Sequence, residues 1–376
     1  MKKAQVLFLI IITIRIILCF QPGFKVDMEV WQSWSERLIN LGPDNFYDKN
    51  IWTNYTPGYL IFLWLLGIIK NNLFFEVTLK LFTNLFDIGS ATLIFLIIRK
   101  HVDNFSARLG ALLYLANPAV VFNSCVWGQI DGILTFFILL SFYLANEIKR
   151  IEFALPTFFA SILIKPQAAL YLPMLAKLSL DNFSTKKFLT GLVLSCSLYL
   201  LISMLFSPTN ILFGLPLLIS KMLNDYPYTS LYAFNFWALV GWWKMDSTLW
   251  NGLSLQTWGF FLFIFSILPT LILQKKNSFL VYFSVSLITL AFFLFLTRIH
   301  ERYLFPFFAF FVVTTLLKKS VKFLAIYMLI TFIHLYNLWY VYAKLDNNYL
   351  FSTGLILTFI ILLKDFYKEA YDKKKN

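Results

Sequence analysis

The sequence predicts an all-α, polytopic membrane protein of about twelve transmembrane helices, with a long first outer loop carrying interfacial helices. Three observations predict it. Of 376 residues, 59% are hydrophobic and only 14% charged, whereas soluble domains carry about a quarter charged residues. Apolar runs close to the roughly 20 residues a span needs recur along the whole chain. The basic residues fall in short pairs between these runs, the pattern of cytoplasmic loops.

Taken in order, the runs place spans near 4–20, 76–98, 107–125, 131–147, 153–165, 167–179, 188–206, 255–273, 279–297, 304–317, 323–342 and 350–363. The first opens on Lys2-Lys3 like a signal sequence but lacks small residues at a cleavage position, so it reads as a retained anchor. An even number of spans puts both termini on one side. With the N-terminus in the cytoplasm, most of the 32 Lys and Arg residues lie inside, among them Arg99, Lys100, Lys149, Arg150, Lys275, Lys276, Lys318, Lys319 and the tail lysines Lys373, Lys374 and Lys375. The chain then reads as one integral-membrane domain over 1–376, multi-pass in the cell membrane. Residues 21–75 form its first extracytoplasmic loop, 207–254 a further outer loop and 364–376 a basic cytoplasmic tail. Two short runs, 153–165 and 167–179, meet at Lys165-Pro166-Gln167 and read as broken helices, which are tolerated where backbone lines a cavity. Residues 57–70, ending at Lys70, read as an interfacial helix.

The net charge of +13 is dispersed between spans, which argues against nucleic acid as a partner. Cys19, Cys125 and Cys196 each sit in an apolar run and form no CxxC pair. No Walker, GxGxxG or HExxH pattern occurs.

The unusual polar sequence gathers at the outer ends of the spans. The loop from Phe24 to Pro57 holds Asp27, Glu29, Glu36, Asp44 and Asp48, with Glu76 beyond it. From Asp27, the apolar positions Trp31, Trp34, Leu38 and Leu41 recur at helical spacing, and Gly42-Pro43 stops the helix. Asp27 suits either an ordinary N-cap or a general base held against apolar surroundings. Trp127-Gly128-Gln129-Ile130-Asp131 offers an indole, an amide and a carboxylate at an inter-span turn, able to bind a sugar or to cap two helices. Lys165 sits between very apolar stretches, where an ionisable residue is a functional candidate unless it snorkels. Arg298, His300, Glu301, Arg302 and Tyr303 form the densest polar run of the second half. Arg298, His300 and Arg302 suit a lipid phosphate, with Glu301 able to orient either arginine.

These stretches together resemble the GT-C type membrane glycosyltransferases, which use polyprenyl-phosphate sugars. The likeness is to prokaryotic relatives of the GPI-anchor mannosyltransferases and of the dolichyl-phosphate-glucose glucosyltransferases. It is carried, in family order from residue 27 to 306, by six stretches. These are Asp27…Trp31…Gly42…Phe46-Tyr47; Asn54-Tyr55-Thr56-Pro57; Trp127-Gly128-Gln129-Ile130-Asp131; Ile164-Lys165-Pro166-Gln167-Ala168; Ala233-Phe234-Asn235-Phe236-Trp237-Ala238-Leu239; and His300-Glu301-Arg302-Tyr303-Leu304-Phe305-Pro306. The resemblance implies a GT-C-like fold and an inverting transfer of a hexose, mannose or glucose, to an acceptor hydroxyl at the outer face. It implies Asp27 as general base and Arg298, His300 and Arg302 at the donor phosphate. It implies sugar or acceptor contacts from Trp31, Tyr55, Trp127, Gln129, Asp131, Lys165, Gln167, Asn235, Trp237, Glu301 and Tyr303. The partners implied are a polyprenyl-phosphate-linked sugar, a glycan, glycolipid or protein acceptor, and the bilayer. Relatives often carry Asp-Tyr-Pro-Pro where this chain has Asn54-Tyr55-Thr56-Pro57. The Asp-Xaa-Asp of metal-dependent members is missing from the first loop, so the expectation is no metal and no cofactor. The rival class is a transporter or lipid-linked saccharide flippase with Lys165 on its path, although no inverted repeat is visible in the sequence.

Overall fold

A computed structural model describes residues 2–47, 52–69, 71–181, 183–274, 277–344 and 349–372. Asp48, Lys70, Lys275, Lys276, Lys373, Lys374 and Lys375 lie outside the described residues. The fold is 78% helix and 3% strand. Among the described residues, seven helices are long and apolar enough to cross a membrane: Leu73–His101, Asp131–Ile148, Thr185–Phe206, Leu255–Leu273, Ser278–Phe295, Val321–Ala343 and Tyr349–Tyr371. An eighth is possible if the pair Asn104–Leu115 and Pro118–Trp127, bent by 46°, counts as one span. The remaining runs form shorter helices. Those over Ile151–Ile164 and Pro306–Lys318 have 14 and 13 residues, fewer than the roughly 17 a span tolerates.

The chain divides into two compact units. The first comprises Ile12–Asp87 and Ser124–Asp225. It holds the end of α1 (Lys2–Cys19), α2 (Lys25–Leu41), α3 (Pro57–Leu66) and the first half of α4 (Asn72–His101). The helices α5 (Asn104–Leu115) and α6 (Pro118–Val121) belong to the other unit, and a π-helical turn, Phe122–Trp127, leads back. The first unit resumes with α7 (Asp131–Phe142), α8 (Ile151–Ile164), α9 (Leu172–Asp181), α10 (Thr185–Phe206) and α11 (Gly214–Met222). Within it α8 is the hub, packing against α3, α7 and α10. The break expected at Lys165 is present. Proline disfavours helical backbone in the residue before it, and Lys165 is extended (φ −145°, ψ 124°) between α8 and a 3-10 turn, Pro166–Tyr171.

Helix α2 buries Met28, Trp31, Trp34, Ser35 and Leu38. Leu41, expected on the same stripe, is 48% exposed, because the last turn passes beyond α3. Gly42 ends the helix at φ +78°, with its N–H bonded to the Leu38 carbonyl.

The second unit comprises Met1–Ile11, Ile88–Asn123 and Tyr226–Asn376. It is centred on α13 (Ser278–Phe295), which is buried from Phe279 to Leu294 as expected of a helix apolar on every side. Around α13 pack α12 (Leu255–Leu273), α14 (Pro306–Lys318) and α16 (Tyr349–Asp372); α15 (Val321–Ala343) packs on α14. Short polar side chains start several of these helices by accepting orphan backbone N–H groups: Asn117, Ser254, Asn277 and Ser320.

Asp103 does the same for α5. It accepts from the Ser106 N–H (2.8 Å) and, at the turn after α14, from Lys319 (3.1 Å). The Ser106 N–H and then the Lys319 ammonium hold its carboxyl down at about 2. A depressed folded-state value means that the charged form stabilises the fold above pH ~4, and that this contribution is lost as pH falls through ~2. Asp103→Asn keeps a capping oxygen but no charge. We expect it to lower the thermal midpoint in detergent at pH 7 and to converge on the wild type between pH ~4 and ~2; a gap that persists at the acid end counts against the charge.

Candidate functional site

Asp27 lies in the first turn of α2 but does not cap it. The N-cap is Phe24, with no side-chain cap bond. The Asp27 carboxylate is instead engaged across 100 residues of chain. Its Oδ2 accepts from Trp127 Nε1 (2.8 Å) and from Gln129 Nε2 (2.5 Å). Among the described residues Oδ1 accepts no hydrogen bond. Asp27 is half-buried, while Trp127 and Gln129 are buried.

Local backbone chemistry delivers these donors. Gly128 sits at φ +90°, a region glycine enters without penalty, and it turns the chain sharply between the π-helical turn and α7. The Phe24 N–H donates to the Trp127 carbonyl (3.1 Å), and the two rings lie 4.9 Å apart. The start of α2 and the Trp127 turn are therefore stapled by backbone and side chain together.

Next to this turn, Asp131 opens α7 and pairs with Lys165 at 2.7 Å, both groups buried. The Lys165 ammonium also stands 5.5 Å from the centre of the Tyr55 ring, within cation–π reach. Gly58 permits this arrangement: a Cβ there would come within 2.5 Å of the Leu163 backbone, so only glycine lets the first turn of α3 lie on the last turn of α8. Tyr55, Tyr59 and Trp31 then form an aromatic wall, with Tyr59 5.2 Å from Tyr55 and 5.6 Å from Trp31. Three buried polar atoms in this region have no hydrogen-bond partner among the described residues: Gln129 Oε1, Thr56 Oγ1 and Tyr59 Oη. An unmet buried group costs roughly 1–3 kcal/mol, so such atoms mark places where a polar ligand would be welcome.

Of the residues expected here, Asp27, Trp31, Tyr55, Trp127, Gln129, Asp131 and Lys165 belong to one connected cluster. Within it Trp127 and Gln129 hold Asp27, and Asp131 pairs with Lys165. The Lys165 ammonium is buried against Asp131. Gln167 is half-buried in the 3-10 turn, and its side chain makes no hydrogen bond among the described residues.

A polar layer beside the cluster escaped the reading of the sequence. Arg15 pairs with Asp87 and donates to Asn84 Oδ1 (2.6 Å). Asn84 also meets Cys19 Sγ (3.3 Å) and Cys125 Sγ (3.2 Å). Lys80 donates to Glu76 (3.0 Å) and to the Gln21 carbonyl (2.6 Å), and Glu76 accepts from the Gly23 N–H. Arg15, Lys80 and Asp87 each stand in an apolar run, and an ionisable residue at membrane depth was the signal that could have found them.

The second unit holds the remaining candidates. Ser230–Leu231 pairs in parallel with Ile299–His300, so the segments around Asn235 and Arg302 are neighbours. Arg298, at φ +66°, directs its guanidinium to Asp246 (2.7 and 3.3 Å), which also accepts from Thr297 (3.0 Å). Arg302 pairs with Glu301 at 2.7 Å, and His300 Nδ1 lies 3.8 Å from the other Glu301 oxygen. The His300 ring stands 5.6 Å from Tyr226 and 5.2 Å from Tyr303. Both arginines thus have a carboxylate partner; Asp246 was not foreseen, because it lies in an irregular stretch without periodicity. Asn235 caps a 3-10 turn by accepting from the Ala238 N–H, and Trp237 donates to the Phe295 carbonyl (2.6 Å). Both are buried and serve the fold at these atoms.

No model of a known protein family matches this chain, and a search of the curated proteins returns no match.

The buried Lys165–Asp131 pair predicts a particular pattern of stability. Lys165→Met takes the cationic partner from a buried carboxylate and should cost about 3–5 kcal/mol in unfolding measured in detergent. Adding Asp131→Leu should recover most of that loss. A neutral Lys165→Met would show that the pair is not what holds this corner.

Proposed function

We propose that this chain is an inverting membrane glycosyltransferase that moves a hexose, mannose or glucose, from a polyprenyl-phosphate carrier to an acceptor hydroxyl at the extracytoplasmic face. One observation carries the reading: a half-buried carboxylate, Asp27, has one oxygen anchored by two neutral donors and the other without a partner. A general base needs that arrangement, a fixed orientation with a free lone pair. The ordered motifs that resemble the GT-C transferases support it independently of the geometry.

In the proposed step the acceptor oxygen attacks the anomeric carbon and its proton passes to Asp27 Oδ1. The bond from that carbon to the carrier phosphate breaks, with its electron pair leaving on the phosphate oxygen. Attack from the opposite face inverts the centre in one displacement, so no carboxylate nucleophile is needed. On the resemblance, the segment with Arg298, His300 and Arg302 receives the phosphate, where growing negative charge calls for oriented cations. Asp246 and Glu301 would set the orientation of the two arginines. The acceptor is a glycan, a glycolipid or a protein hydroxyl, and Gln129 Oε1, Thr56 Oγ1 and Tyr59 Oη are the atoms we assign to sugar hydroxyls.

One observation favours the rival reading as a transporter of lipid-linked saccharides. The charges of Arg15, Asp87 and Lys80 are buried in apolar helices, as along the pathways of pumps and carriers. Purified protein in detergent has no second compartment, so product formed there from polyprenyl-phosphate mannose or glucose would belong to a transferase alone.

In that assay Asp27→Asn should abolish transfer, a loss of about 10²–10⁴-fold, while the protein still inserts and accumulates; near wild-type turnover would sink the base assignment. Gln129→Met removes one anchor of Oδ2 and should lower kcat by about 10- to 100-fold with little change in donor KM. Arg302→Ala should act on the other parameter, raising donor KM, and an unchanged donor KM would argue against a phosphate role.

A further inference from the structure

Within the second unit, the start of α1, the second half of α4 and α5 enclose a groove of about 630 Å³. Its size falls in the range of small-molecule sites, roughly 300–1,000 Å³. The walls are mostly apolar, built from Phe8, Leu9, Ile88, Leu112 and Leu115 among others with Gln5 at the start of α1, and among the described residues Arg108 is the one charged side chain that lines it. Arg108 is half-buried and makes no hydrogen bond or ion pair among the described residues. A second guanidinium lies at the same end: Arg99 stands 6.0 Å from the ring of Phe95, itself a lining residue. The polar side chain of Thr92 is turned away to the Ile88 carbonyl (2.9 Å). From Arg108 to Leu115 the trough runs about 10 Å along α5.

The chemistry is that of an amphiphile site. A guanidinium without a partner calls for an anionic, fork-compatible group such as a phosphate, and the trough beyond it calls for a hydrocarbon chain. A free phosphate ion would leave the trough unfilled, and an uncharged hydrophobe would leave Arg108 unmet. Helices long enough to span a bilayer supply the source. We propose that this groove binds one anionic phospholipid of the surrounding membrane, its phosphate on Arg108 and one acyl chain along Ile88, Leu112 and Leu115. The site lies outside the cluster around Asp27 and does not depend on the transferase reading.

The test is native mass spectrometry of the full chain, delipidated in a non-ionic detergent and given phosphatidylglycerol or phosphatidylcholine with identical acyl chains. Wild type should retain one phosphatidylglycerol in clear preference to phosphatidylcholine. Arg108→Gln should lower phosphatidylglycerol occupancy by about tenfold, since a hydrogen bond to a charged group is worth that much or more, and Arg108→Lys should retain part of it. Ala111→Trp, which fills the trough and leaves the arginine in place, should reduce both lipids. Thermal melting of each variant identifies any that misfolds, and Ala111→Trp carries the test if Arg108→Gln does. Equal retention of the two lipids by the wild type, or wild-type occupancy in a folded Arg108→Gln or Ala111→Trp protein, would overturn the proposal.

Discussion

A lysine and an aspartate 2.7 Å apart and both out of water fix the corner on which the first unit depends. Pro166 cannot continue α8 and forces Lys165 into extended backbone, so the ammonium leaves the helix axis at that point. Its partner Asp131 stands at the start of α7, where the helix dipole favours a negative charge. The pair thereby fixes where α7 begins. That in turn places the two residues before it, and Gln129 arrives buried with its amide on Asp27. Neither partner can be removed without leaving a charge in a low dielectric, where it is costly. The position of one carboxylate oxygen near the start of the chain is therefore set by a proline more than a hundred residues later.

Asp27 is held differently from the arginine-paired carboxylates Asp246 and Glu301, and the difference bears on the proposed function. Asp246 and Glu301 each meet an arginine, whose charge offsets theirs and whose fork fixes both oxygens or one closely. Asp27 is met by an indole and an amide, both neutral, on a single oxygen. Neutral donors orient a carboxylate without cancelling its charge. Around it stand aromatic rings and polar atoms with no hydrogen-bond partner among the described residues, an apolar surround that still offers hydrogen bonds.

Much of this was legible in the sequence, for identifiable reasons. Polar residues inside apolar runs stand out, and Asp27, Trp127, Gln129, Asp131 and Lys165 were all visible as marks on a hydrophobic background. The break at Lys165 was visible because proline leaves few choices. The pairing was not: periodicity places Asp27 on the same stripe as Trp31 but contains nothing about a residue 100 positions on, so the hydrogen bonds from Trp127 and Gln129 to Asp27 were not foreseen. Arg15, Lys80 and Asp87 were lost for the opposite reason, since a single charge barely moves the average over a long apolar run. The number of spans suffers from a third ambiguity. Helix α14 is buried from Pro306 to Leu316 with only 13 residues, and hydropathy alone cannot distinguish a segment shielded by lipid from one shielded by protein.

The two units are interleaved along the chain: the first is begun by residues 12–87, set aside while 88–123 are laid into the second, and resumed from 124 to 225. This has a consequence for biosynthesis. Chains emerge at about 5–20 residues per second, so Asp27 waits several seconds for Trp127 and longer for the Lys165 that steadies the turn. During that interval α2, with Trp31 and Trp34 on one face, has no α8 to support the helix that covers it. The order of assembly is thus dictated by the arrival of the latest partner, and the region around Asp27 closes only when its most distant contributors have been inserted.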